Sequence, residues 1–156
     1  MIYFDNAATT KNKPVEVIDA VIDALKNFGN SSRGVYEESL SADRVVFDTR
    51  KKLAKMFNVG NSRQVVFTKN ATESLNIAIN GLFSEKDHII TSVAEHNSVL
   101  RPINYLRAKG AEVSYINVFE NGVLNLDKLS KLVKANTKGI VLTHASNVTG
   151  NITDIR

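Results

Sequence analysis

The sequence contains no cysteine. That excludes a disulfide framework and a thiolate metal site, and it leaves any thiol chemistry to another part of the chain or to another protein. No stretch approaches the ~20 apolar residues that a membrane span needs. The opening MIYFDNAATTKNK has no basic segment followed by an apolar core, so no secretory signal is expected and a cytoplasmic location is. Neither a GxGxxG nor a P-loop pattern occurs, so the usual nucleotide fingerprints are missing. There is no low-complexity run either, and 43% hydrophobic with 23% charged residues is the composition of a chain that folds.

Basic residues outnumber acidic ones, giving a net charge of +4, which raises the question of a nucleic-acid partner. The positions argue against one. Arg50, Lys51, Lys52 and Lys55 are interleaved with Leu53, Met56 and Phe57 at the spacing of a solvated helix face. The aromatics do not alternate with basic residues as a base-stacking surface requires.

At 156 residues the chain has the size of one domain or part of one. From Pro14 to about Phe28 the apolar residues Val17, Val21, Ile22 and Leu25 share a helical face, with Pro14 near the first turn and Gly29 just beyond the end. The loop GNSSRG, residues 29–34, leads into a longer helix that keeps Ala42, Val46, Leu53 and Phe57 in register and ends near Asn58 to Gly60. Beyond it, the strand-like runs QVVFT, HIITSV, AEVSYINV and GIVLTHA are separated by the helical runs ATESLNIAINGLF, NSVLRPINYLRAKG and LDKLSKLVKA. Strands spaced by helices predict right-handed crossovers and a mostly parallel sheet flanked by helices, an α/β fold.

In such sheets a ligand sits off the carboxyl ends of the strands. The segments to inspect are therefore Lys69–Glu73, Ala94–Ser98, Asn117–Glu120 and His144–Gly150. In VVFTKNATES, Asn70 and Glu73 resemble a capping box, and the helix start with Thr72 offers free N–H groups and a hydroxyl to a phosphate. A plain N-cap explains the same residues. In TSVAEHNSVLRP, His96 stands at the mouth of the sheet beside an acid and small polar residues; a surface or capping role is the alternative. His88, at the start of its strand, reads as structural. In LTHASNVTG, His144 reads as a satisfied core histidine, Asn147 follows an apolar strand, and Gly150 permits a tight turn.

Taken in order, YFDNAATT (3–10), NATES (70–74), AEHNSVLRP (94–102) and HASNVTG (144–150) resemble the class V aminotransferase family of pyridoxal-phosphate enzymes, and within it the cysteine desulfurase and selenocysteine lyase-like branch. The resemblance implies the N-terminal portion of the large domain of an aspartate-aminotransferase-like (type I) fold. It implies an arm and first helix over residues 1–30 and an incomplete cofactor-binding domain over 31–156. It also implies pyridoxal 5'-phosphate as cofactor of the full-length enzyme, absent from this piece or weakly bound to it. Ala71 and Thr72 match the segment that holds its phosphate, and His96 the residue that stacks on its ring, with an acid–base role open to it. Asn147 matches the residue beside the phenolic oxygen, in reach of cofactor and substrate. Asn6, Ala7 and Ala8 match the substrate side of the pocket. Arg33 falls in a loosely matching loop near the active site, where a mobile surface arginine is the alternative.

Family chains are longer, and their later parts supply an aspartate for the pyridine nitrogen, a glutamine, a Ser-His segment and the Schiff-base lysine. None of these has a match here, and neither Lys69 nor Lys138 stands at the lysine's position. The expectation is an enzyme in the full-length protein, releasing sulfur or selenium from cysteine or selenocysteine to leave alanine, and inactivity in this piece. A persulfide-forming cysteine would lie downstream. The motif AEHNSVLRP tilts the reading towards desulfurase or lyase, because transaminating relatives usually lack a histidine at the position of His96; transamination of a small amino acid or another lyase reaction is the alternative within the family. A phosphate-binding or interaction module is the alternative outside enzymes. The implied partners are a small amino acid, a second copy in a homodimer and a sulfur-acceptor protein. An open sheet edge and bare apolar helix faces predict an oligomer or domain-swapped assembly for the piece itself.

Overall fold

The computed structural model describes residues 2–31 and 33–155, so Ser32 of the 29–34 loop and the terminal Arg156 lie outside the described residues. The chain divides into two compact units, Met1–Phe67 and Thr68–Arg156, and each is described by itself.

In the first unit, Pro14 caps helix α1, Val15–Asn27, from the position its fixed φ suits. Its apolar residues Val15, Val17, Ile18, Val21, Ile22 and Leu25 are all exposed, and no residue of the helix is buried. Helix α2, Glu37–Met56, ends at Phe57, and the next residue, Asn58, takes a left-handed φ of 54°. The loop between the helices closes down on Ser39, which is fully buried. A Cβ on Gly34 would stand 2.5 Å from Ser39 Oγ and 2.7 Å from the Tyr36 ring, so only glycine lets the backbone pass.

The second unit runs α3 (Ala71–Leu82), β1 (His88–Ser92), α4 (Asn97–Ala108), β2 (Glu112–Ile116), α5 (Leu129–Leu132) and β3 (Thr137–Ile140). The three strands form one sheet in the order β2-β1-β3, all parallel. This is the α/β layer expected from the alternation of strands and helices. Central β1 is buried along its whole length, as the middle strand of a covered parallel sheet must be.

Successive side chains leave a strand on opposite faces, and Ile89 and Ile90 accordingly serve two cores. Ile89 packs with Ile79, Val99, Ile103, Leu106 and Ala111 from the α3–α4 side. Ile90 packs with Ile116 and Leu124, against which Leu126, Leu129 and Leu132 lie half-buried.

Two strand expectations need correction. QVVFT forms no strand: Ser62–Gln64 is a 3₁₀ turn, and the extended run that follows pairs with nothing among the described residues, leaving Val66 74% exposed. Apolar, β-branched sequence makes a strand only where a neighbour supplies the ladder. The last strand begins at Thr137, earlier than GIVLTHA suggested, and its ladder stops at Ile140. Val141 N–H still donates to the Ile90 carbonyl, at 2.9 Å. Beyond it, side chains replace the ladder.

His88 is structural, as its position at the strand start suggested. It is fully buried, with Nδ1 2.7 Å from Thr137 Oγ1 and Nε2 2.8 Å from Ser114 Oγ, so one ring ties both outer strands to β1. Burial lowers its pKa from the ordinary histidine value, and the nearby Lys134 charge adds to this against a smaller opposing effect of Glu112.

Candidate functional site

At the carboxyl end of the sheet the starts of α3 and α4 border one shallow cleft of about 380 Å³, lined by Thr72, Asn76, His96, Asn97, Ser98 and Arg101. Both helices begin there because each carries its own cap. Asn70 Oδ1 accepts from Glu73 N–H at 2.9 Å, and the Glu73 carboxylate reaches back to Lys69 N–H at 2.7 Å. This is the expected capping box with the return bond displaced by one residue. Thr68 Oγ1 and Ser74 Oγ, 2.5 Å apart, brace the same turn.

Those caps leave the Ala71 and Thr72 N–H groups without an acceptor among the described residues. They sit where the helix dipole is most positive. Thr72, which carries a hydroxyl, and Arg101, which carries a cation, both line the cleft. A phosphate monoester fits this donor set, so the residues present suit the phosphate end of pyridoxal phosphate.

His96 is exposed and is itself the N-cap of α4. Its Nδ1 accepts from Ser98 N–H at 3.1 Å and lies 2.8 Å from Ser98 Oγ. An accepting Nδ1 puts the proton of the neutral ring on Nε2. The cap therefore fixes the ring's direction and leaves Nε2–H as its free end. The capping alternative for this histidine and its place in the cleft hold together.

Asn147 is exposed on a closed loop and does not line the cleft. Ser146 N–H donates to Asn151 C=O at 2.9 Å, Thr153 N–H to His144 C=O at 2.8 Å, and Ser146 Oγ accepts from Thr149 N–H at 3.2 Å. A second support comes from Asn151 Nδ2, which donates to Asn121 C=O at 2.9 Å. The neighbouring Gly122 has φ +79°, and a Cβ on it would stand 2.9 Å from that same Nδ2. His144 is exposed, which corrects its reading as a core histidine: the strand has already left the sheet, so nothing covers the ring.

The other candidates fall in the first unit. Asn6, Ala7 and Ala8 form an exposed turn closed by Ala8 and Thr9 N–H groups on the Asp5 carbonyl, both at 3.2 Å, and by the Tyr3 hydroxyl donating to Thr9 C=O at 2.9 Å. Arg33 is exposed at a bend in the loop over Ser39. Of the lysines, Lys69 lies beside the α3 cap, while Lys138 sits on β3 at the opposite end of the strands from the cleft.

Three cleft or near-cleft residues were not singled out from the sequence. Asn76 and Arg101 stand four residues after Thr72 and Asn97 on their helices, so helical spacing from the first candidates would have found them. The third is Glu95, buried at 7% exposure, where no other carboxylate among the described residues is buried. Its Oε1 accepts from Ser92 Oγ and from Thr143 N–H, both at 2.7 Å, and its Oε2 from Thr143 Oγ1 at 2.8 Å.

Comparison with known proteins gives the family of the chain. The family model described as "Aminotransferase class-V" matches residues 2–156. The cysteine desulfurase IscS of Buchnera aphidicola subsp. Acyrthosiphon pisum (strain 5A) is 38% identical over 165 aligned positions, covering 99% of this chain and 39% of its own. The apo structure of a cysteine desulfurase from Thermococcus onnurineus NA1 superposes with a TM-score of 0.88 at 35% identity, over 99% of this chain and 39% of that one. A structure of SspA in complex with cysteine superposes at 0.87 with 28% identity, over 99% of this chain and 45% of that one. The chain thus spans about two fifths of the length of these relatives, and it belongs to the class V aminotransferase family.

Proposed function

We propose that the chain is the amino-terminal, cofactor-holding part of a pyridoxal-phosphate-dependent cysteine desulfurase. Such an enzyme takes sulfur, or selenium, from cysteine or selenocysteine and leaves alanine. The observation that carries the reading is the cleft where two capped helix starts present unpartnered amides, the Thr72 hydroxyl, Arg101 and an oriented His96 together.

Bound there, the cofactor would supply the electron sink that makes the substrate's bonds labile. The chain's own residues supply the rest. Ala71 and Thr72 N–H groups and the Thr72 hydroxyl hold the phosphate. His96, its direction set by Ser98, lies against the ring and offers a proton at Nε2. Asn147 presents an amide to the ring's oxygen and to the substrate, and Asn6, Ala7, Ala8 and Arg33 serve the substrate side. On this reading residues 31–156 are the incomplete cofactor domain and residues 1–30 an arm with the first helix.

A homodimer goes with the reading, supported by the wholly exposed apolar face of α1, as do a sulfur-acceptor protein and a cytoplasmic site of action. No described helix is long and apolar enough to cross a membrane.

The lysine and cysteine that the chemistry needs have no match among the 156 residues, and cysteine is absent outright. The chain alone is therefore expected to bind the cofactor without forming a borohydride-reducible adduct and without turnover. A full-length protein that contains it should release alanine and a reducible sulfur product from cysteine. A specific reducible adduct on Lys69 or Lys138 would overturn the assignment of the missing lysine. Conversion of an amino acid to its oxo acid, with no sulfur released, would replace desulfuration by transamination.

A further inference from the structure

Glu95 is the buried carboxylate that the reading above leaves without a task. It stands just after the turn that follows β1, three residues beyond Ser92 at the strand's end and directly before His96, so its backbone belongs to the loop that carries the cleft's histidine. Its side chain turns the other way. It takes the Ser92 hydroxyl at the end of β1, then both the N–H and the hydroxyl of Thr143 on the segment after β3. Thr143 has left the sheet ladder, which stops at Ile140, and the Thr91 hydroxyl already holds the intervening Val141 carbonyl at 3.0 Å. What joins the two strand ends at this level is therefore the carboxylate.

From Thr143 the chain enters the loop that has Asn147 at its turn, and that loop is closed on itself by the bonds between Ser146 and Asn151 and between His144 and Thr153. A displacement of Thr143 moves the loop as one piece. The carboxylate accepts three hydrogen bonds and needs to donate none, so an ionised carboxylate matches all the donors aimed at it.

We propose that Glu95 is a positioning residue that sets Asn147 in place relative to His96. This rests on the reading of His96 and Asn147 as residues that face one cofactor. Glu95 touches neither cofactor nor substrate. It acts by fixing where the loop after β3 leaves the sheet.

The test follows the backbone amides of the chain by ¹H–¹⁵N NMR during titration with pyridoxal phosphate, in the native protein and in Glu95→Ala, Glu95→Gln and Thr143→Val. In Glu95→Ala the Ala71 and Thr72 amides should still shift, with an affinity within about threefold of native because they share no partner with Glu95. The Asn147 response should be lost. Glu95→Gln should restore it, because the Thr143 hydroxyl can turn to accept from the new amide. Thr143→Val, which keeps the backbone N–H bond, should give an intermediate response.

An unchanged Asn147 response in Glu95→Ala overturns the proposal. So does an equal loss at Ala71, Thr72 and Asn147 with the strand amides still native, because the role would then be structural only. If Glu95→Ala does not fold, Thr143→Val decides, and a native Asn147 response in it refutes the coupling.

If pyridoxal phosphate shifts nothing in the native chain, the cofactor reading fails instead. Positioning is then read without ligand, from hydrogen exchange at Ser146, Gly150 and Thr153. Faster exchange there in Glu95→Ala, and not in Glu95→Gln, supports the clamp; equal rates refute it.

Discussion

Replacing His88 by leucine tests how the sheet is tied at its amino end. The imidazole bridges Thr137 and Ser114 from the fully buried centre of the strand row. Each such bond contributes about 0.5–1.5 kcal/mol net. Leucine keeps the bulk, loses both bonds and leaves two half-buried hydroxyls short of a partner. Thr137 Oγ1 retains the Lys134 N–H, at 2.7 Å, which limits the penalty on that side. Together these give a loss of about 2–3 kcal/mol at neutral pH.

The pH dependence carries the sharper prediction. Burial lowers the His88 pKa in the folded state, with Lys134 adding to the effect and Glu112 opposing it. A group whose folded pKa lies below its unfolded one leaves the unfolded chain binding more protons at acid pH. The stability that neutral His88 contributes is present above the unfolded value of about 6.5. It is lost as pH falls from there through the folded value. Urea melts of native and His88→Leu chains at pH 7.5 and 5.5 should therefore show a gap of about 2–3 kcal/mol that narrows at the lower pH. Asp87 and Glu112, both lowered by hydrogen bonds to Ser84 and Lys134 respectively, lose their contributions at more acid pH, and they do so in both proteins. A gap that stays constant or widens at pH 5.5 would refute the account of a neutral, bridging imidazole.

Other substitutions read the site. Asn70→Ala removes the α3 cap and should cost about 1 kcal/mol by thermal or urea melting, while weakening the chain's affinity for inorganic phosphate and pyridoxal phosphate in calorimetric titration. Gly122→Ala forces a side chain into a left-handed φ and against Asn151 Nδ2. It should cost about 1–3 kcal/mol and speed hydrogen exchange in the loop around Asn147, with the Ala71 and Thr72 amides unmoved.

The elements whose signals are local were legible in the sequence. α1 and α2 follow from apolar spacing and from Pro14 and the 29–34 loop. The α3 cap follows from Asn70 and Glu73, and His88 was placed correctly by its position on the strand. The misreadings share a physical cause, that a strand depends on partners distant in sequence. QVVFT has the composition of a strand and finds no neighbour, and GIVLTHA gives up its ladder before its apolar run ends because Glu95 and Thr91 take over its polar groups. His144 was misread for the same reason, since its burial depended on a strand that stops before it. Glu95 was seen only as an acid beside a histidine. Its three partners lie on Ser92 and Thr143, and the Thr143 bonds span 48 residues, a pairing no local pattern announces.

The central claim is that the cleft at the starts of α3 and α4 holds the phosphate end of pyridoxal phosphate. A ¹H–¹⁵N titration of the native chain tests it most directly, followed by competition with inorganic phosphate. The amides of Ala71, Thr72, His96 and Ser98 should shift together to saturation, and phosphate should reverse the shifts at Ala71 and Thr72. Shifts scattered over surface lysines, with these four amides unmoved, would contradict it.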